Sequence, residues 1–126
     1  IMFANARDAY ESATKTSVSG RELEARALSK AARQLEQCGE SWNAPDRAER
    51  LDHAIRFNQR LWTVFQIELA RPDHPLPVEL RVNLLRLSAF VDKRSFEIIA
   101  EPEPGKLKAL IDLNRHVSEG LRIEAA

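Results

Sequence analysis

Few side chains in this sequence have chemistry to offer: three histidines, one cysteine, scattered carboxylate pairs and two asparagines set among apolar residues. A metal centre would need His, Cys, Asp or Glu converging at helix-compatible spacings. His53, His74 and His116 stand far apart, and no His-x3-His, Glu-x-x-His or Cys-x-x-Cys spacing joins them. Cys38 would become a nucleophile only beside a base that removes its proton. Its place on an apolar face reads instead as an inert core thiol. Glu22/Glu24 and Glu101/Glu103 have the residue type of acid–base pairs but read as solvated. The four glycines are dispersed, so there is no glycine-rich loop to cradle a phosphate. The expectation is a protein that is not an enzyme and that carries neither cofactor nor metal.

Asn58 and Asn114 each fall at the centre of an apolar stripe. Such an amide either offers a polar spot to a partner's backbone or is a satisfied core amide that fixes register between helices. Both readings require hydrogen-bond partners, because an unpaired buried amide costs about 1–3 kcal/mol.

The element expected to organise these positions is Pro75–Ala100. On a helix at about 100° per residue, Leu80, Leu84, Leu87, Val91 and Ile98 form one stripe. Val78, Val82, Leu85, Ala89 and Phe96 form a second. The apolar arc exceeds half the circumference, wider than the ~100° stripe of an ordinary surface helix. The reading is an all-α, single-domain helical bundle of about five helices, with the 77–100 helix central and most buried.

The rest of the chain fits around it. Residues 4–14 could form a short helix with Ala6, Ala9, Tyr10 and Ala13 on one face. Ser19 and Glu22 make a capping box that opens a helix over 20–38, with Ala27, Leu28, Ala31, Ala32, Leu35 and Cys38 inward. Gly39 is placed to end it. Trp42 lies in the next loop, either a recognition anchor or a plug for the bundle's end. A helix over 46–70 turns Leu51, Ala54, Ile55, Asn58, Leu61, Trp62, Phe65 and Leu69 inward. Prolines 72, 75 and 77 force a turn, and EPEPG at 101–105 ends the central helix. A last helix over 106–120 presents Leu107, Leu110, Ile111, Asn114, Val117 and Leu121. One domain covers 1–126, with 1–4 and 122–126 as terminal extensions. Ile1, ahead of Met2, reads as an added residue.

Composition narrows the function classes. With 44% apolar and 30% charged residues the chain is not disordered. Lys plus Arg equals Asp plus Glu at 19 each, so net charge gives no reason to expect nucleic acid or an anionic membrane as partner. No apolar run approaches the ~20 residues that span a bilayer, so no membrane insertion is expected. With no signal peptide and one cysteine, a cytoplasmic location is the simplest reading. Phe57, Val64 and Ile67 on the 46–70 helix and Phe90 on the 77–100 helix point off the inward stripes. They are either covered by a neighbouring helix or are anchors of a partner-binding groove bordered by those two helices.

The blocks NQRLWTVFQIELA at 58–70, HPLPVELRVNLLRLSAFVDKRSFE at 74–97 and LIDLNRHVSEGL at 110–121 together resemble FlaF, the flagellar biosynthesis regulator family of alpha-proteobacteria. The upstream AYESATKTSVSGRELEARALSKAARQLE fits the same family's opening segment, so the resemblance covers about Ala4 to Leu121. It implies a small helical protein that acts as a cytoplasmic flagellin-binding secretion chaperone, supporting flagellin synthesis and export. Flagellin would be the partner through its amphipathic terminal helices, with FlbT a further candidate. The alternative is a post-transcriptional regulator of flagellin message, acting directly or with FlbT. That role needs a clustered basic face, whereas Arg47, Arg50, Arg56, Arg60 and Arg71 are interspersed with Asp46, Glu49, Asp52 and Glu68. Direct nucleic-acid binding is therefore not expected. The family supplies no catalytic residues.

Overall fold

Apolar residues recur three and four apart along four stretches, and each stretch folds as an α-helix. The computed structural model describes residues 17–125. α1 spans Ser17–Glu40, α2 Arg47–Leu69, α3 Val78–Ala100 and α4 Leu107–Ala125, with a 3-10 turn at Pro104–Lys106 before α4. No strand occurs among the described residues, and the chain is all-α. Against the expected count of about five, four α-helices stand among the described residues; the short helix placed at 4–14 lies outside them.

α1 and α4 approach most closely along their backbones. Ala25, Leu28, Ala31, Ala32 and Leu35 are fully buried on α1, and the small side chains let the two helices come near. They run antiparallel. Glu22 pairs with Arg122 at 3.5 Å, Ser29 meets Ser118 at 2.8 Å, Glu36 pairs with Arg115 at 2.9 Å, and Gly39 faces Leu107. The Ser118 hydroxyl also donates to the carbonyl of Ala25 at 2.7 Å. α1 packs in addition on α2.

The helix ends differ in detail from expectation. α1 begins at Ser17, so Ser19 lies inside it, and the Glu22 carboxylate reaches Arg26 and Arg122. Gly39 keeps a negative φ and does not cap the helix, which runs on to Glu40. Trp42 is half-buried against the core with the Arg47 guanidinium 4.5 Å above its ring, so it plugs the end of the bundle. Basic side chains from the next element bind backbone carbonyls just past the ends of α2 and α3. Arg81 donates to Arg71 O at 2.8 Å, and Lys106 donates to Glu101 O at 2.7 Å.

The 77–100 helix is not central. α3 packs mainly on α2 and only slightly on α4. Of its first stripe, Leu84, Val91 and Ile98 are buried, with Ser88 and Ser95 beside them, while Leu80 and Leu87 are half-buried against the core. Its second stripe is largely exposed, Val78 63%, Val82 40% and Phe96 67%, joined by Ile99 at 54%, although Leu85 rests against the core. A wide apolar arc measures how much of a helix is apolar, not how many neighbours it finds. α1 packs on α4 and α2, and α2 on α1 and α3, which leaves α3 at the edge of the bundle.

The deepest polar feature joins α2 to α4. The Trp62 indole donates to Asn114 Oδ1 at 2.9 Å, and Asn114 Nδ2 donates to Asn58 Oδ1 at 2.7 Å. Trp62 is 1% exposed and both asparagines are 0% exposed. The indole can only donate, which fixes the Asn114 amide, which in turn fixes Asn58 and leaves its Nδ2 without a partner among the described residues. Asn114, paired at both amide atoms, fits the reading of a satisfied core amide that sets register, while Asn58 is paired at its oxygen alone.

Asn114→Ala strands both the Trp62 N–H and Asn58 Oδ1 and is expected to destabilise by about 3 kcal/mol, more than Asn58→Ala, which strands one group. Urea unfolding of the two variants checks the order; equal losses would show that the chain does not run as described.

His74 supports a second prediction. Its Nδ1 accepts the Leu76 N–H at 3.2 Å, holding the turn that inserts buried Leu76. Burial and then the Arg81 charge lower its pKa from 6.5. The folded state therefore takes up the proton less readily than the unfolded state. Stability should fall as pH drops from 6.5 through the lower folded value. His74→Asn keeps an acceptor that does not titrate there, and it should lessen the fall in urea midpoint between about pH 7 and pH 5. An unchanged fall would mean that His74 is not its source.

Candidate functional site

Catalytic chemistry can be judged first from Cys38. It is buried on α1, and His53 of α2 lines the same shallow hollow as Cys38, Glu49 and Arg50. Burial pushes the thiol up, against a smaller opposing effect of Arg50. A protonated thiol is the reverse of what a nucleophile needs. His116 is exposed on α4, and His74 serves its turn. Among the described residues, no three His, Cys, Asp or Glu side chains gather as a metal site would require.

The four off-stripe apolar residues do not form one groove. Phe57 faces α1, half-buried, with the Lys30 ammonium 5.4 Å from its ring centre. Val64, 54% exposed, borders a cleft between α1 and α2. Ile67, 64% exposed, lies opposite the buried stripe of α2 and points to solvent. Phe90 is half-buried against the core, with Arg94 5.4 Å from its ring centre. The α2-facing side of α3 is marked by Asp92, which accepts from Gln66 at 3.3 Å. Phe90 is two residues away, about 200° around the helix, so it lies on the other flank. Helix geometry thus separates residues that share only the property of missing the inward stripe.

Two other apolar surfaces stand out. One is the outer stripe of α3, Val78, Val82, Phe96 and Ile99, whose periodicity resembles that of a core face and hides its exposure. Arg86 and Lys93 are exposed along its edge. The other is the α1–α2 cleft, about 580 Å³, closed at one end by His74, Pro75 and Leu76. Glu24 and Glu68 lie within it. Burial raises the Glu24 pKa, the Glu68 charge raises it further, and Arg21 works against both. No single helix's pattern could reveal this cleft, since each wall supplies only half of it.

Comparison with known proteins bears on the whole chain. No curated protein and no solved structure matches it. The family model described as flagellar protein FlaF matches residues 6–121, nearly the whole chain, including the segments that hold Asn58, Trp62 and Asn114. This all-helical chain, with no helix long and apolar enough to cross a membrane among its described residues, belongs to the FlaF family of flagellar proteins.

Proposed function

We propose that this chain is a cytoplasmic flagellin-binding secretion chaperone, supporting flagellin synthesis and export for filament assembly. The observation that carries the reading is the uncovered apolar stripe of α3. A helix with an apolar arc this wide usually buries it. Here half is left bare, which suits a surface completed by a partner. Flagellin's terminal regions form amphipathic helices that must stay unpolymerised before export, and such a helix can lie along another helix's apolar stripe. Ile67, on the outward side of neighbouring α2, adds to the apolar surface available.

The message-binding alternative gains no support from the basic residues of α2. Arg50 pairs with Asp46, Arg56 with Asp52, and Arg71 with Glu68 and Asp73, while Arg47 covers Trp42. These contacts disperse the positive field that phosphate contacts need.

Calorimetric titration of flagellin tests the proposal. Phe96→Ala and Ile67→Ala should each weaken binding by about 1–3 kcal/mol through lost apolar contact. Both side chains are exposed, so thermal unfolding should be unchanged. Phe90→Ala should instead lower the unfolding midpoint, because its ring rests on the core. If flagellin binds the Phe96 and Ile67 variants as it binds the parent, its site lies elsewhere. If the parent itself binds no flagellin, the chaperone reading fails.

A further inference from the structure

The α1–α2 cleft has a chemistry that the α3 stripe does not share. Leu23 and Val64 form its two lips, 56% and 54% exposed. Behind them the cleft continues over Phe65, Leu76 and Leu121 into a narrower recess that reaches Trp62 and Leu84. From Leu61 to Glu68 the α2 wall rises about 10 Å, two turns of a helical occupant. The walls are apolar, yet two carboxylates of like charge face the same space: Glu24 from α1 and Glu68 from α2.

The neighbouring cations leave this pair under-neutralised. Among the described residues, Glu68 pairs with Arg71, at 3.8 Å and exposed to solvent. Arg81 is engaged by the carbonyls of Leu69 and Arg71. Arg122 of α4 pairs with Glu22. His74, which also lines the cleft, favours its neutral form while Nδ1 accepts the Leu76 N–H. Arg21 stands at the rim and only partly offsets the burial and repulsion acting on Glu24. An occupant bringing its own cation would relieve both carboxylates while its apolar side fills the cleft over Phe65, Leu76 and Leu121.

We infer that the α1–α2 cleft is a second docking site, which takes a partner's amphipathic helix whose apolar stripe is edged by lysine or arginine. The cleft excludes water from one side of the contact, so the ion pair gains more there than on an open surface. An acidic edge would meet Glu24 and Glu68 and be rejected. The site discriminates by charge, whereas the α3 stripe offers mainly area.

The probes are two designed helices with identical apolar stripes, one edged by lysine and one by glutamate, titrated calorimetrically into the full chain at low salt. The lysine helix should bind at least about tenfold more tightly than the glutamate helix. The double variant Glu24→Gln, Glu68→Gln should abolish that preference without lowering the unfolding midpoint. Leu23→Ser with Val64→Ser should weaken the lysine helix, and Phe96→Ala should leave its binding unchanged, which separates this site from the α3 stripe. Equal affinity for the two probes, or a preference that survives loss of both carboxylates, would overturn the inference. So would failure of both probes to bind the full chain, meaning that the cleft is covered by the chain's own residues or by a second copy. Sedimentation at the working concentration would tell those two apart.

Discussion

The fold depends on a one-way chain of hydrogen bonds at its centre. An indole N–H has no acceptor character, so Trp62 dictates which way the Asn114 amide faces, and Asn114 then dictates Asn58. A slide of α4 along α2 would break both bonds inside a region closed to solvent. Apolar packing alone tolerates such slides better, because one leucine contact substitutes for another. One turn further along the same face of α4, Ser118 is held as firmly against Ser29 and Ala25 of α1. α4 is thus set in register against both α1 and α2, and their places follow from it.

The surface ion pairs do a different job. Most join residues three or four apart on one helix, with both partners largely exposed. Such pairs contribute little to stability and are weakened by salt. Their effect is to spread balanced charge over a molecule that also leaves apolar side chains bare. Membership of the FlaF family places that surface in a flagellar setting, where a protein that keeps uncovered apolar surface needs charge elsewhere to remain dispersed.

The sequence made the helices legible, and within them the inward face of each. The 3.6-residue period brought Asn58 and Asn114 to the centres of their stripes, and the structure buries both completely. The period could not say which helix lies opposite which face. For that reason α3 was expected at the centre, although Val78, Val82 and Phe96 are exposed, and α1 was underrated because alanines bury little area individually. Phe57, Val64, Ile67 and Phe90 were alike in pointing off their stripes, yet they fall on three different surfaces. Assigning them needs the neighbour on each flank, and that is a tertiary fact. The cleft was illegible for a related reason: Glu24 and Glu68 are distant in sequence and meet only across two helices.

The α1–α4 pairing carries a consequence for how the molecule comes into being. Its contacts join residues far apart in the chain, Ser29 with Ser118 at 89 positions and Glu22 with Arg122 at 100. During synthesis the alanine face of α1 therefore emerges well before α4 and waits for its mate. The α2–α3 hairpin, joined by a short proline-rich turn, can close long before that. Loops this large close at an entropic cost that local hairpins avoid, so docking of α4 is the late event of folding. Until α4 appears, α2 and α3 form a hairpin beside an α1 without its closest mate, and the most closely packed interface does not yet exist.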